Sequence, residues 1–185
     1  MKAHRLGTDI FCIEDFFSEE ECNEWIAFSE QQGYALAKID MGFRKQVVNT
    51  AIRNNTRVIH DSEALALEVW QKIRPFVIPE TEHGVAYGVN ERFRFYKYTA
   101  GQQFRTHRDG SYIKSIKEWS AYTLIIYLNE EIEGGETQFE DFAVVPKKGA
   151  AILFRHAIVH AGLPIKKGVK YVLRTDIMYR RKETD

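Results

Sequence analysis

His107, Asp109 and His160 are the residues of this chain whose types and spacing point most directly to chemistry. In a strand, alternate side chains face the same way, so an imidazole and a carboxylate two positions apart can converge on one ion. His160 follows after two further expected strands. Two histidines and one carboxylate on one face of a metal, with the other positions open, is the donor set of non-haem Fe(II) centres that also bind a co-substrate and dioxygen. His156 and His160 have the spacing of a zinc-binding helix, but Ala157 stands where that motif needs a glutamate, and Ile158-Val159 favours a strand. His156 is therefore expected beside the site and not as a ligand. Gly134-Gly135 is too short for a phosphate loop and reads as a turn.

The surroundings of these residues resemble the prolyl 4-hydroxylase-like group of the 2-oxoglutarate and Fe(II)-dependent oxygenases. The resemblance runs in order through Arg94 to Tyr98, Gly101 to Phe104, His107 to Asp109, Tyr127-Leu128-Asn129, Gly134-Gly135-Glu136-Thr137, Pro146 with Gly149, His160-Ala161-Gly162, and Lys170. It fades in the N-terminal half, where only Asp15 to Ser18 and Glu21-Cys22 are similar to the family's lead-in helix. The resemblance implies that His107, Asp109 and His160 are iron ligands and that Lys170 pairs with the distal carboxylate of 2-oxoglutarate. A turn through Pro164 to Gly168 can return Lys170 alongside His160 on the next strand. It also implies that Tyr98 and Tyr127 lie near the co-substrate. By strand parity Thr123 shares the face of Tyr127 and is expected to line the pocket. Arg174, on the same strand face as Lys170, is a rival for the carboxylate, because its guanidinium offers a bidentate fork. Where the family often has a tryptophan six residues beyond the basic residue, this chain has Asp176.

The implied reaction is hydroxylation of a C–H bond of a prolyl or other amino-acid residue, or of an amino-acid-like small molecule. It consumes 2-oxoglutarate and dioxygen and releases succinate and CO2, with ascorbate as a possible reductant. Retention of Asp109 favours hydroxylation over halogenation, since halogenating relatives replace this carboxylate with a small residue. A catalytically silent ligand-binding or sensor module is the alternative.

These residues need a scaffold that holds strands face to face. From Glu91 onward the pattern is that of strands: Phe93 and Phe95 alternate with Arg92 and Arg94, followed by apolar runs at Tyr122 to Leu128, Ala150 to Phe154 and Tyr171 to Tyr179. Arg92, Arg94, Arg105 and Arg108 read as exposed strand residues. Upstream, one short apolar segment, Ile10 to Ile13, precedes two helices. Ser18 and Glu21 form a capping box, Phe17 and Cys22 can staple it, and Gly33 supplies the stop of a helix from about Glu19 to Gln32 with Cys22, Trp25, Ile26 and Ser29 on one stripe. The second helix is expected from about Ser62 to Arg74, with Leu67, Trp70 and Ile73 sharing a face and Pro75 ending it. Helices first and strands afterwards imply a mainly β fold, a double-stranded β-helix or jelly roll buttressed by N-terminal helices. The expected layout is one domain over 1–185, with 1–90 as a helical support region and 91–180 as the jelly-roll core holding the active site. The polar segment from Asp109 to Ser120 is expected to be a mobile loop with Trp119 as its reporter.

The 185 residues suit one core, and 26 basic residues balance 26 acidic ones. That balance gives no field to draw in nucleic acid or an anionic membrane. No run approaches the roughly 20 apolar residues needed to span a bilayer. Cys12 and Cys22 are expected as core thiols, which fits a reducing, cytoplasmic setting. The expected partners are a small-molecule, peptide or protein substrate and dioxygen.

Overall fold

The computed structural model describes residues 1–40 and 46–182. In chain order the elements are β1 (Lys2–Gly7), β2 (Ile10–Glu14), α1 (Glu19–Gln32), β3 (Ala35–Leu36), β4 (Ile39–Asp40), β5 (Gln46–Val47), β6 (Thr56–Asp61) and α2 (Glu63–Ile73), then a 3-10 turn at Arg74–Phe76. There follow β7 (Gly84–Val89), β8 (Arg92–Tyr98), β9 (Phe104–His107), β10 (Ile113–Ser115), β11 (Glu118–Tyr127), β12 (Glu133–Gly134), β13 (Thr137–Gln138), β14 (Ala143–Val144), β15 (Ala151–Arg155), β16 (His160–Gly162), β17 (Ile165–Lys167) and β18 (Lys170–Arg181).

Ten strands form one large sheet in the order β1-β2-β15-β11-β18-β8-β6-β3, with β10 added beside β11 and β7 beside β18. A smaller sheet, β14-β13-β16-β9, carries the two histidines. Strand parity divides the large sheet into two faces. Phe93, Phe95, Leu124, Ile126, Leu153, Leu173 and Ile177 join a core with the helices. Tyr96, Tyr98, Tyr127, Ile152, Phe154 and Val172 join a second core with Phe139 and Ile165. Burial on both faces explains why these strands read as continuous apolar runs. The mainly β, jelly-roll architecture is thus the one expected.

The first helix matches its signals residue for residue. The Ser18 hydroxyl accepts from the Glu21 N–H at 3.2 Å, and the Glu21 carboxylate accepts from the Ser18 N–H at 2.7 Å, closing the capping box. Cys22 and Ser29 are buried, while Trp25 and Phe28 stack on Phe95 of β8 at ring-centroid distances of 5.7 and 5.8 Å. Cys12 is half-buried.

Three expectations need correction. The buried face of α2 is Leu65, Ala66, Val69 and Ile73, with Trp70 packed at its margin; Leu67 is 59% exposed, because it lies round the helix from that face. The first ninety residues are not only helical, since β1, β2, β6 and β7 all belong to the large sheet. The segment after Asp109 is in part a hairpin: Ile113 pairs with Trp119 and Ser115 with Glu118. Trp119 itself lies in β11 opposite Tyr179. A period-2 pattern of only a few residues, with apolar side chains left in solvent at Ile113 and Ile116, carries no hydrophobic signature for that hairpin.

Candidate metal centre and co-substrate pocket

The smaller sheet brings the two histidines together by register, since His160 of β16 is the Cα partner of His107 of β9. Asp109 lies two residues beyond the end of β9, and its N–H donates to the His156 carbonyl at 3.1 Å, so a loop contact and not the ladder places it. The ligand atoms of His107, Asp109 and His160 all lie within 4.8 Å of one another. Nε2 of His107 is 3.6 Å from one carboxylate oxygen of Asp109, and Nε2 of His160 is 3.6 Å from the other.

The remaining atoms of these groups fit a metal. His107 Nδ1 faces the Arg105 carbonyl at 2.7 Å and His160 Nδ1 faces the Ile158 carbonyl at 3.1 Å. Each ring can keep its proton on Nδ1 and present a lone pair at Nε2, which is how second-sphere carbonyls orient metal-ligating histidines. Burial lowers His160 to about 4, with Asp109 opposing the shift, so its imidazole is neutral at physiological pH. Burial alone would raise Asp109, but Arg174, His107, His160 and Thr123 hold it ionised, well below the usual carboxylate range. Arg174 donates charge to one Asp109 oxygen at 3.0 Å, and the Thr123 hydroxyl donates to the other at 2.6 Å.

The three candidate ligands line a cavity whose walls also include Tyr98, Phe104, Lys170 and Arg174. The expected co-substrate residues divide within it. Lys170 is 5% exposed, and its ammonium donates to the Gly135 carbonyl at 2.5 Å. It lies 5.7 Å from the Tyr98 ring centroid and 5.2 Å from that of Tyr127. Burial lowers it to about 7, and only Glu136 opposes this. Tyr127 stands behind, with its hydroxyl 2.6 Å from that of Thr137. Thr123 meets Asp109, as described, and not the lysine end of the cavity. Arg174 is already engaged on two sides, by Asp109 and by Asp176 at 3.2 Å.

Several residues have places in the site that their sequence pattern does not show. Arg94 is not an exposed strand residue: its side chain is 18% exposed and pairs with Asp176 at 3.1 Å. Its parity with Tyr96 and Tyr98, and its position opposite Arg174, carry that information. Asp176 is buried between Arg94 and Arg174, with His156 at 3.7 Å, so the place of the family's tryptophan is taken by an ion-pair cluster. His156 lies in the turn between β15 and β16 beside this cluster, which agrees with its reading as a neighbour. Tyr96 and Thr137 line the cavity, and Arg53, from the loop before β6, packs on the Tyr96 and Phe104 rings at 4.1 and 4.4 Å. Arg53 follows no periodic pattern and no motif, and only the tertiary fold reveals it.

Residues 93–175 match the family model of the 2OG-Fe(II) oxygenase superfamily. Over 87% of its length the chain is 25% identical to prolyl 4-hydroxylase 2 of Arabidopsis thaliana, covering 64% of that protein. It is 22% identical to probable prolyl 4-hydroxylase 8 of the same plant, covering 65%. The chain thus spans slightly under two thirds of the length of these relatives. Among solved structures it is similar to the viral collagen prolyl hydroxylase of Paramecium bursaria Chlorella virus-1 in its 2OG complex, with a TM-score of 0.68, 22% identity, and 95% and 98% of the two chains covered. It is also similar to a Trichoplax adhaerens prolyl hydroxylase in complex with a peptide fragment of the hypoxia inducible factor oxygen degradation domain, with a TM-score of 0.74, 15% identity, and 94% and 84% covered.

Proposed function

We propose that this chain, whose residues 93–175 match the family model of the 2OG-Fe(II) oxygenase superfamily, is an iron-dependent dioxygenase of that kind, hydroxylating a C–H bond. The observation that carries this reading is the pairing of two features in one cavity. Two imidazoles have their Nδ1 atoms engaged by carbonyls and their Nε2 atoms converging on one carboxylate, and a buried lysine in the same cavity has, among the described residues, no carboxylate at hydrogen-bond distance. Fe(II) with 2-oxoglutarate and dioxygen supplies the oxidising power for hydroxylation, with release of succinate and CO2.

The protein's own groups perform the remaining tasks. His107, Asp109 and His160 hold the metal; Arg174 and Thr123 keep Asp109 ionised and oriented. Lys170 receives the distal carboxylate of 2-oxoglutarate, and the Tyr98 and Tyr127 rings flank that ion pair in a water-poor setting where it is strong. Phe104 stacks on His107 at 3.6 Å and Phe154 packs on His160 at 4.6 Å, which fixes both rings and shields them from solvent. The substrate class follows the relatives, which are named for prolyl residues, and extends to amino-acid-like small molecules.

Iron-dependent conversion of 2-oxoglutarate to succinate, measured without added substrate, tests this reading, followed by a peptide and amino-acid screen for a mass gain of one oxygen. His107→Ala and His160→Ala should each abolish iron binding and succinate formation with the circular-dichroism spectrum retained. Full activity in either variant would overturn the metal assignment.

A further inference from the structure

Asp109 is placed without the help of strand pairing. It lies beyond the end of β9, so its orientation depends on what touches it: the Arg174 guanidinium and the Thr123 hydroxyl on its two oxygens, and the His156 carbonyl on its N–H. His156 grips the chain at a second point, since its Nδ1 faces the Gly110 carbonyl at 3.1 Å.

All three of these residues adjoin one buried carboxylate. Asp176 is 2% exposed and is the cross-strand partner of Thr123. Its Oδ2 is anchored from the β7–β8 side, by Arg94 at 3.1 Å and by the side-chain amide of Asn90 at 3.5 Å. Its main chain is tied to the same turn: the Asn90 N–H donates to the Asp176 carbonyl at 2.8 Å, and the Thr175 hydroxyl donates to the Asn90 carbonyl at 2.7 Å. With one oxygen anchored, Oδ1 is presented to Arg174 at 3.2 Å and to Nε2 of His156 at 3.7 Å. Arg174 in turn spans two carboxylates. One terminal nitrogen meets Asp109 at 3.0 Å and the other meets Asp176, while its Nε is buried and has no hydrogen-bond partner among the described residues. A guanidinium is a rigid planar fork, so losing its hold at the Asp176 end lets it turn at the Asp109 end.

From these contacts we propose that Asp176 is a positioning residue for the metal centre: it fixes the Arg174 guanidinium, and through it the Asp109 carboxylate, in the orientation that meets an ion held by His107 and His160. The proposal rests on the metal reading above. Asp176 is not among the walls of the cavity, so its effect reaches the ion only through its neighbours. Residues that orient a ligand from behind in this way typically change metal affinity by roughly ten- to hundredfold. An ion-pair cluster that served the fold alone would change the stability of the protein and leave the affinity of the folded molecule where it was.

Co(II) is the probe, because its visible ligand-field bands report both binding and coordination geometry without turnover. It is titrated into the parent protein, His107→Ala, Asp176→Asn, Arg174→Gln and the double variant Asp176→Asn/Arg174→Gln, each shown to be folded by its circular-dichroism spectrum. Asp176→Asn keeps the shape of the side chain and removes its charge. It is expected to weaken Co(II) binding about tenfold or more and to alter the spectrum at saturation. In the Arg174→Gln background the same substitution should change affinity by less than about threefold, because the route to Asp109 is already cut. A loss under about tenfold, an unaltered spectrum, or a loss above about threefold with Arg174 replaced overturns the proposal. Should Asp176→Asn not fold, Asp176→Asn with Arg94→Gln, which removes one charge of each sign, takes its place. Should Arg174→Gln not fold, Arg174→Lys, whose single ammonium cannot form the fork, provides the background. Failure of a replacement to fold assigns the cluster to the fold alone and likewise overturns the proposal. Co(II) that does not bind the parent protein, or binds His107→Ala equally well, overturns the metal reading and this proposal with it; binding that is lost in His107→Ala and insensitive to Asp176 overturns this proposal alone.

Discussion

Lys170 and Arg174 lie four residues apart on the same face of β18, and their surroundings give them different work. Lys170 has a carbonyl and two ring faces for company, whereas Arg174 is held by Asp109 and Asp176. Lys170→Ala should therefore lower 2-oxoglutarate affinity by two to four orders of magnitude, about 3 to 5 kcal/mol, because the incoming carboxylate would be buried unpaired. Arg174→Ala should act first on stability and on iron affinity, since it strands two buried carboxylates. Anaerobic titrations of Fe(II) and of 2-oxoglutarate into both variants measure the two effects separately, and a larger loss of 2-oxoglutarate affinity for Arg174→Ala would reverse the assignment. A pH dependence follows from the same lysine. Its folded-state value of about 7 lies below the ordinary ~10.4, so the free protein loses the ammonium as pH rises through about 7. The affinity for 2-oxoglutarate should be full below that pH and fall about tenfold per unit above it, with proton uptake on binding. Calorimetry in buffers of different ionisation enthalpy measures that uptake, and Lys170→Arg should remove it.

At the scale of elements, the turn before β15 carries the junction between the N-terminal segment and the sheet. Gly149 has φ +76°, and a Cβ there would lie 2.3 Å from the Phe17 carbonyl oxygen. Its own carbonyl accepts from the Phe16 and Phe17 N–H groups at 2.9 and 3.0 Å. Gly149→Ala should cost at least about 2 kcal/mol in chemical denaturation, through a strained backbone and a displaced lead-in to α1. Gly88→Ala, where a Cβ meets nothing within 4 Å, is the control and should be near neutral. Elements with strong local signals are legible in the sequence alone. The capping box and Gly33 bounded α1, and the apolar runs marked β11, β15 and β18. The triad was readable because His107 and Asp109 are close in sequence and His160 sits in a distinctive order of motifs. What was not legible depended on pairing at long range. Arg94 and Asp176 each look like solvent-facing strand residues until β8 and β18 are laid side by side, and Arg53 acquires meaning only when its loop docks on β9.

Across the whole molecule, the candidate ligands belong to the small sheet or its edge, and Lys170 belongs to the large one. A 2-oxoglutarate molecule chelated to iron at one end and paired with Lys170 at the other would tie the two sheets together. Fe(II) with 2-oxoglutarate at about 100 times its Kd should add roughly 2.7 kcal/mol, which for a chain of this size raises Tm by about 5 to 10 °C. Thermal unfolding under anaerobic conditions checks this, and in Lys170→Ala the increment due to 2-oxoglutarate should vanish while that due to iron persists. The far side of the large sheet carries a different consequence. There β1 covers β2, which covers β15, whose residues Ala151 to Phe154 are all buried. Lys2 and Arg5 place charge along β1, and its pairing with β2 shifts register between Arg5 and Gly7. Such features discourage another chain from adding itself to an open sheet. Removing residues 1–14 would bare an apolar, unpaired strand and turn a self-limiting fold into a template for polymerisation. The N-terminal strand pair thus protects the fold against aggregation.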